Sequence, residues 1–227
     1  MSLEPALKAR EAYFDAPVKR VVDVGSRDGH DAVRLGHALA APEVVCVEPR
    51  EEAARAIRQT YPDVRVYEVA VSDSPGVALM VTFDSGDVGL QGSASLNVHR
   101  GALHPDEARY RDVKVERLDA FLPRGQIDVL KVDVEGYTLQ ALRGLGTMLS
   151  DVLVAHLETE TLERAAWAEP ATNHAVAYFM RANGFRLFHL DYEWGPSIED
   201  QTWVNVVHPK AKPSHLTERE GEPELAR

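Results

Sequence analysis

The chain has 227 residues, 44% apolar and 27% charged, ordinary globular usage that excludes collagen-like, coiled-coil and disordered classes and fits one large domain. Its single cysteine excludes an internal disulfide and a cysteine-rich metal cluster. The net charge of −11 belongs to the folded part, because residues 210–227 balance their acids and bases; no nucleic-acid partner is expected without a basic footprint.

The opening MSLEPALKAREAYF lacks the apolar segment of a signal peptide, and no run is apolar enough to span a membrane, so a cytoplasmic location and no membrane partner are expected. Residues 1–17 read as an N-terminal helical segment with Leu3, Leu7 and Tyr13 on one face, which covers the site or meets a second subunit in a homodimer. From residue 18 to 209, short β-branched runs alternate with helical patterns, the mark of an α/β fold whose mainly parallel sheet has helices on both faces. Strands are expected near Arg20–Val24, Val44–Glu48, Arg65–Val71, Ile127–Asp133, Val152–Glu158, Phe185–Asp191 and Thr202–His208. Helices are expected over Asp31–Leu39, Glu51–Tyr61, Thr138–Arg143 and His174–Asn183, the last two stopping at Gly144 and Gly184. Residues 84–112, with Gly86, Gly89, Gly92 and Gly101, read as a long acceptor-side loop, and residues 210–227 as a flexible charged tail.

The first chemical cluster is Val21-Val22-Asp23-Val24-Gly25-Ser26-Arg27-Asp28-Gly29, an apolar strand that turns through glycines into a helix. The second strand ends in Glu48, where an acid can accept hydrogen bonds from both hydroxyls of a ribose. A dinucleotide fingerprint would need a glycine where Arg27 stands, and Asp23 would repel a pyrophosphate. A cationic nucleoside such as S-adenosylmethionine fits this acidic rim better, while the plain alternative leaves Gly25 and Gly29 as turn residues and Glu48 as a solvated strand end.

Asp23-Val24-Gly25, Val47-Glu48-Pro49, Ala70-Val71-Ser72-Asp73 and Leu130-Lys131-Val132-Asp133-Val134-Glu135-Gly136 resemble the blocks of the FkbM-like family of S-adenosylmethionine-dependent methyltransferases. Gly92-Ser93-Ala94-Ser95-Leu96 resembles the family's serine-containing stretch, and the likeness runs from about residue 21 to 160. The resemblance implies a Rossmann-like class I methyltransferase fold over residues 18–209, with seven strands and an antiparallel last strand inserted between strands five and six. It also implies methylation of hydroxyl groups, on sugars or polyketide-type products. Asp23 and Gly25 would then line the methionyl part of the cofactor, Glu48 would hold its ribose, and Val69 and Ala70 would lie by its adenine; Ser26 and Gly29 are further cofactor-binding candidates. Arg27 departs from the Asn of many relatives, which bears on how the methionyl end is held.

Asp133 and Glu135 lie two apart at a strand end and can share one face; Glu158 and Glu160 repeat that spacing on the next strand. Like charges so close shift their pKa values or bind a cation, and Mg2+ on Asp133 and Glu158 would orient an acceptor hydroxyl. Without a metal, His156 or Glu135 is the candidate general base, beside Asp133 as the third catalytic candidate. Lys131, of the same parity, can instead neutralise Asp133, and His156 can be a satisfied strand histidine. Weaker candidates are His30 for the cofactor, and Ser93, Ser95, His99, Arg100, His104, Tyr192 and Trp194 for the acceptor; Cys46 reads as core. The expected activity is O-methyl transfer to a small or medium polar acceptor, a sugar or oligosaccharide. The rivals are an NAD-dependent oxidoreductase on a related sheet and a non-catalytic cofactor-binding module.

Overall fold

A computed structural model describes residues 1–83, 94–96, 108–161, 172–192 and 198–213. In chain order the elements are α1 (Glu4–Tyr13), β1 (Arg20–Val24), α2 (His30–Leu39), β2 (Glu43–Val47), α3 (Glu51–Thr60), β3 (Arg65–Tyr67), β4 (Ala70–Val71), β5 (Gly76–Phe83) and β6 (Ala108–Glu116). There follow α4 (Leu118–Phe121), β7 (Ile127–Val132), α5 (Thr138–Arg143), a 3-10 turn (Gly146–Asp151), β8 (Val152–Glu160), α6 (Asn173–Ala182), β9 (Phe185–Asp191) and β10 (Ile198–Asn205).

Seven strands form the main sheet in the order β3-β2-β1-β7-β8-β10-β9, with β10 antiparallel to both neighbours. This is the expected class I arrangement, its last strand inserted beside the fifth. Residues of alternate parity leave for opposite faces: Val22 and Val24 of β1 join one apolar cluster with Leu130 and Trp203, whereas Val21 joins another with Leu35, Val129 and Val154. That double burial is why the central strands read as unbroken apolar runs.

Helix α1 closes the second cluster from below. Leu3, Ala6, Ala9 and Phe14 are buried in it, with Leu7 and Tyr13 packed alongside, so the face considered for a second subunit is covered by the chain's own sheet. Arg10 anchors the helix, its Nε donating to buried Asp128 at 2.8 Å.

Four expectations need correction. The expected strand Arg65–Val71 is two strands: β3 stays in the main sheet, while β4 leaves it for a second sheet of order β4-β6-β5. Within the expected loop 84–112, residues 108–112 belong to β6, which pairs with β5 over its length; the expected loop left no place for this hairpin. The last strand starts four residues before Thr202 and ends at Asn205, because the polar run Glu199-Asp200-Gln201 is buried and the chain turns at Val206-Val207. The tail begins fastened: Ala211 bridges Phe14, and Lys212 Nζ pairs with Asp15 at 2.8 Å. The rest of the expected tail, 214–227, lies outside the described residues, as do Ser93, His99, Arg100, His104 and Trp194.

Candidate active site

The carboxyl ends of β1, β2, β7 and β8 open into a cavity of about 520 Å³. One wall is polar and formed after β1 and β2, by Gly25, Ser26, Glu48 and Arg50. The opposite wall is acidic, formed by Asp31 of α2, Lys131 near the end of β7, Asp133 and Glu135 just after it, and Glu158 of β8. Between them lies an apolar flank of Val69, Ala70, Met80, Ala94 and Leu96, so β4 and the second sheet serve as a side wall.

Backbone geometry explains why the first wall can be so close to the sheet. Gly25 has φ +83°, and a Cβ there would overlap the Asp133 carbonyl oxygen, so only glycine lets β1 turn against the end of β7. Ser26 lines the cavity, but its hydroxyl is engaged in the scaffold, donating to the Asp23 carbonyl at 2.7 Å and accepting from the Val47 amide at 3.1 Å. Gly29, also in the left-handed region at φ +77°, faces Ile57 of α3 and is not among the lining residues, so it shapes the turn rather than touching the cavity. The carboxylate of Glu48 is held by amides from both sides, that of Arg27 at 2.8 Å on Oε2 and that of Arg50 at 3.0 Å on Oε1.

Asp23 lies behind this wall. It is fully buried, is not among the cavity-lining residues, and reaches the cavity only through Lys131, whose Nζ is 3.4 Å from its Oδ1. The same ammonium donates to Asp133 Oδ2 at 3.2 Å and lies 3.7 Å from Asp31 Oδ2. Lys131 is thus the shared counter-ion of three carboxylates rather than the partner of Asp133 alone. Burial works to lower its pKa, but Asp23, Asp133 and Asp31 outweigh it and hold the ammonium charged above the ordinary lysine range. Burial pushes the Asp23 carboxyl up to about 6, with Lys131 opposing.

On the acidic wall, carboxylate oxygens of Asp133, Glu135 and Glu158 all lie within 4.8 Å of one another. Burial, then the charges of Asp133, Glu135 and Asp200, raises the Glu158 carboxyl well above the usual range. Glu135 sits in a left-handed turn at φ +52°, and Ser95 Oγ donates to its carbonyl at 2.6 Å. Ser95 also bridges Val81 of β5, so the serine-containing stretch ties the second sheet to the acidic turn. Of the expected crevice, Asp133, Glu135 and Glu158 meet, and His30 lines the cavity.

His156 does not join them. It is 1% exposed, absent from the cavity lining, and hydrogen-bonded through Nδ1 to Thr202 Oγ1 at 2.9 Å. Burial, followed by the charge of Lys131, pushes its pKa down to about 3, so it is a neutral core histidine with no place as the general base. Glu160 is buried at the end of β8, apart from the lining residues, and Cys46 is core as expected. Tyr192, after β9, is 39% exposed and is not among the lining residues. Sequence reading missed Asp31, Arg50 and Tyr137 in the lining, and Asp200, whose register position opposite Glu158 becomes visible only once β10 starts at Ile198.

The methyltransferase FkbM domain model matches residues 23–187, which run from the end of β1 through both cavity walls and β8. The chain belongs to the FkbM methyltransferase family. Among solved structures, an FkbM methyltransferase from Methylobacillus flagellatus is similar at 14% identity and TM-score 0.49, over 82% of this chain and 44% of that one; the chain thus spans less than half of that relative. An rRNA methylase from Streptococcus thermophilus is similar at 12% identity and TM-score 0.49, over 89% of this chain and 94% of that one. A TehB-like SAM-dependent methyltransferase from Corynebacterium glutamicum gives 10% identity and TM-score 0.46, over 88% and 87%. No curated protein matches the chain. Among the described residues no helix is long and apolar enough to cross a membrane.

Proposed function

We propose that the chain transfers a methyl group from S-adenosylmethionine to a hydroxyl of a polar acceptor, a sugar or oligosaccharide. The observation that carries this reading is the polarity of one cavity: Glu48 at one end, Asp133, Glu135 and Glu158 at the other, and Gly25 between them. Glu48 suits the ribose hydroxyls, the apolar flank around Val69 and Ala70 suits adenine, and the acidic end suits the ammonium and sulfonium charges.

The acidic wall also favours a hydroxyl acceptor over an amine. Neighbouring carboxylates raise the pKa of a bound amine, and a protonated amine has no lone pair to attack with. A hydroxyl can donate to a carboxylate and attack from its remaining lone pairs. As the oxygen–carbon bond forms, the sulfur–carbon bond breaks, its electron pair staying on sulfur, and the hydroxyl proton passes to Asp133 or Glu135. Such general-base help is worth roughly 10²–10⁴-fold, with alignment of the two substrates adding the rest.

The same oxygens lie close enough together to hold a hard cation, and Mg2+ held there would orient the hydroxyl and lower its pKa. Asp133 and Glu158 are its proposed ligands, with Glu135 beside them. Methyl transfer to a panel of saccharides, phenols and amines, with and without EDTA, tests the reading. Turnover on saccharides alone supports it, and loss with EDTA restored by Mg2+ supports the metal. Turnover on amines, or tight NADH binding with none for S-adenosylhomocysteine, contradicts it.

A further inference from the structure

The carboxylate assigned to the ribose is already occupied. Glu48 Oε1 accepts from Arg50 N at 3.0 Å and from Arg50 Nε at 2.8 Å, while Oε2 accepts from Arg27 N at 2.8 Å and, more weakly, from Arg50 Nη2 at 3.4 Å. A carboxylate offers about four lone-pair sites. The two amide bonds are fixed by the backbone at the start of α2 and α3, so the guanidinium takes what remains. Two ribose hydroxyls need one site on each oxygen, and Oε1 has none to give while Arg50 stays.

We propose that Arg50 is a competitive plug of the ribose subsite, a guanidinium that cofactor must displace from Glu48 on entry and that returns as product leaves. The inference rests on the S-adenosylmethionine reading above. Arg50 stands in extended conformation just before α3, which directs its side chain back over the end of β2, and it lines the cavity with its side chain 13% exposed. The device sets cofactor and product affinity, the quantity that governs release.

Calorimetric titration of S-adenosylhomocysteine into the wild type, Arg50→Ala and Arg50→Lys tests it, with thermal melts to confirm folding. Freeing the lone pairs should tighten binding by about tenfold in Arg50→Ala and by less in Arg50→Lys, whose ammonium can still reach Glu48. The 2′-deoxy analogue of the same ligand gives a readout that a merely structural role would not move. The penalty for losing the hydroxyl should be small in the wild type and larger in Arg50→Ala. Wild-type binding that is unchanged or weaker in Arg50→Ala overturns the plug and leaves the cofactor reading intact. No binding by any of the three proteins overturns both.

Discussion

The two ends of the cavity handle negative charge in opposite ways. At the ribose end one carboxylate, Glu48, is surrounded by N–H donors from Arg27 and Arg50. At the acidic end Asp23, Asp31 and Asp133 share one ammonium, with Glu135 and Glu158 close by. The first end is satisfied and waits for a competitor; the second gathers five carboxylates beside one lysine ammonium. That contrast is what suits the site to a ligand neutral at its nucleoside end and positive at its sulfur.

The largest break in the contrast is expected where the two ends touch. Gly25→Ala would place a methyl group on the Asp133 carbonyl in a left-handed turn, at a cost of about 4 kcal/mol or more. Denaturant unfolding measures this, and a loss below about 1 kcal/mol would show that β1 and β7 can part. Next comes Lys131→Met, which leaves three aspartates without their cation and should cost about 3–5 kcal/mol at neutral pH. The deficit should shrink as pH falls towards 6, because without the ammonium Asp23 takes up its proton at higher pH than in the wild type. A deficit independent of pH would mean that Lys131 acts by packing alone.

A smaller effect concerns the pH dependence of stability. With its folded-state pKa near 3 against an ordinary 6.5, buried His156 binds fewer protons than the unfolded chain between those values, so its contribution is lost as pH falls from 6.5. Asp23, raised to about 6, and Glu158, also raised, work the other way: the folded chain takes their protons first and gains stability as pH falls towards 4. With two carboxyls gaining against one histidine losing, these groups together should leave the wild type somewhat more stable as pH falls from 6 towards 4. His156→Gln should gain on it by about 1.4 kcal/mol per pH unit in that window. Parallel pH curves for the two proteins would contradict the neutral-core assignment. The smallest expected change is Arg111→Gln, which breaks the exposed bidentate pair with Glu52 and should cost at most about 1 kcal/mol in urea unfolding.

The ribose end was more legible in the sequence than the acidic end. Strand, acid, glycine turn and Glu48 are consecutive or lie one βα unit apart, so local pattern places Gly25, Ser26 and Glu48 on the rim. The acidic end is assembled from residues distant in sequence: Asp31 comes from the start of α2, Lys131 and Asp133 from the end of β7, Glu158 from β8, and Asp200 lies opposite Glu158 by sheet register. The second sheet escaped because its strands β5 and β6 flank a glycine-rich stretch that dominates the pattern. The last strand was misplaced because Glu199 and Gln201 look like surface residues, yet Asn173 Nδ2 donates to Glu199 at 2.9 Å and Gln201 accepts from Trp203 at 2.9 Å inside the core. His156 illustrates the reverse error: a histidine next to acids in the sequence reads as a base, and it does share the strand parity of Glu158, but it sits two residues deeper along β8, buried against Thr202 and outside the cavity lining.

The most direct measurement compares S-adenosylhomocysteine binding by Arg50→Ala and by the double variant Arg50→Ala/Glu48→Ala in a calorimeter, where no guanidinium competes for the carboxylate. One molecule should bind per chain, with affinity at least about tenfold weaker in the double variant, since each hydroxyl-to-carboxylate bond is worth about 1.5 kcal/mol or more. Equal binding by the two proteins would place the nucleoside elsewhere and contradict the assignment of the rim.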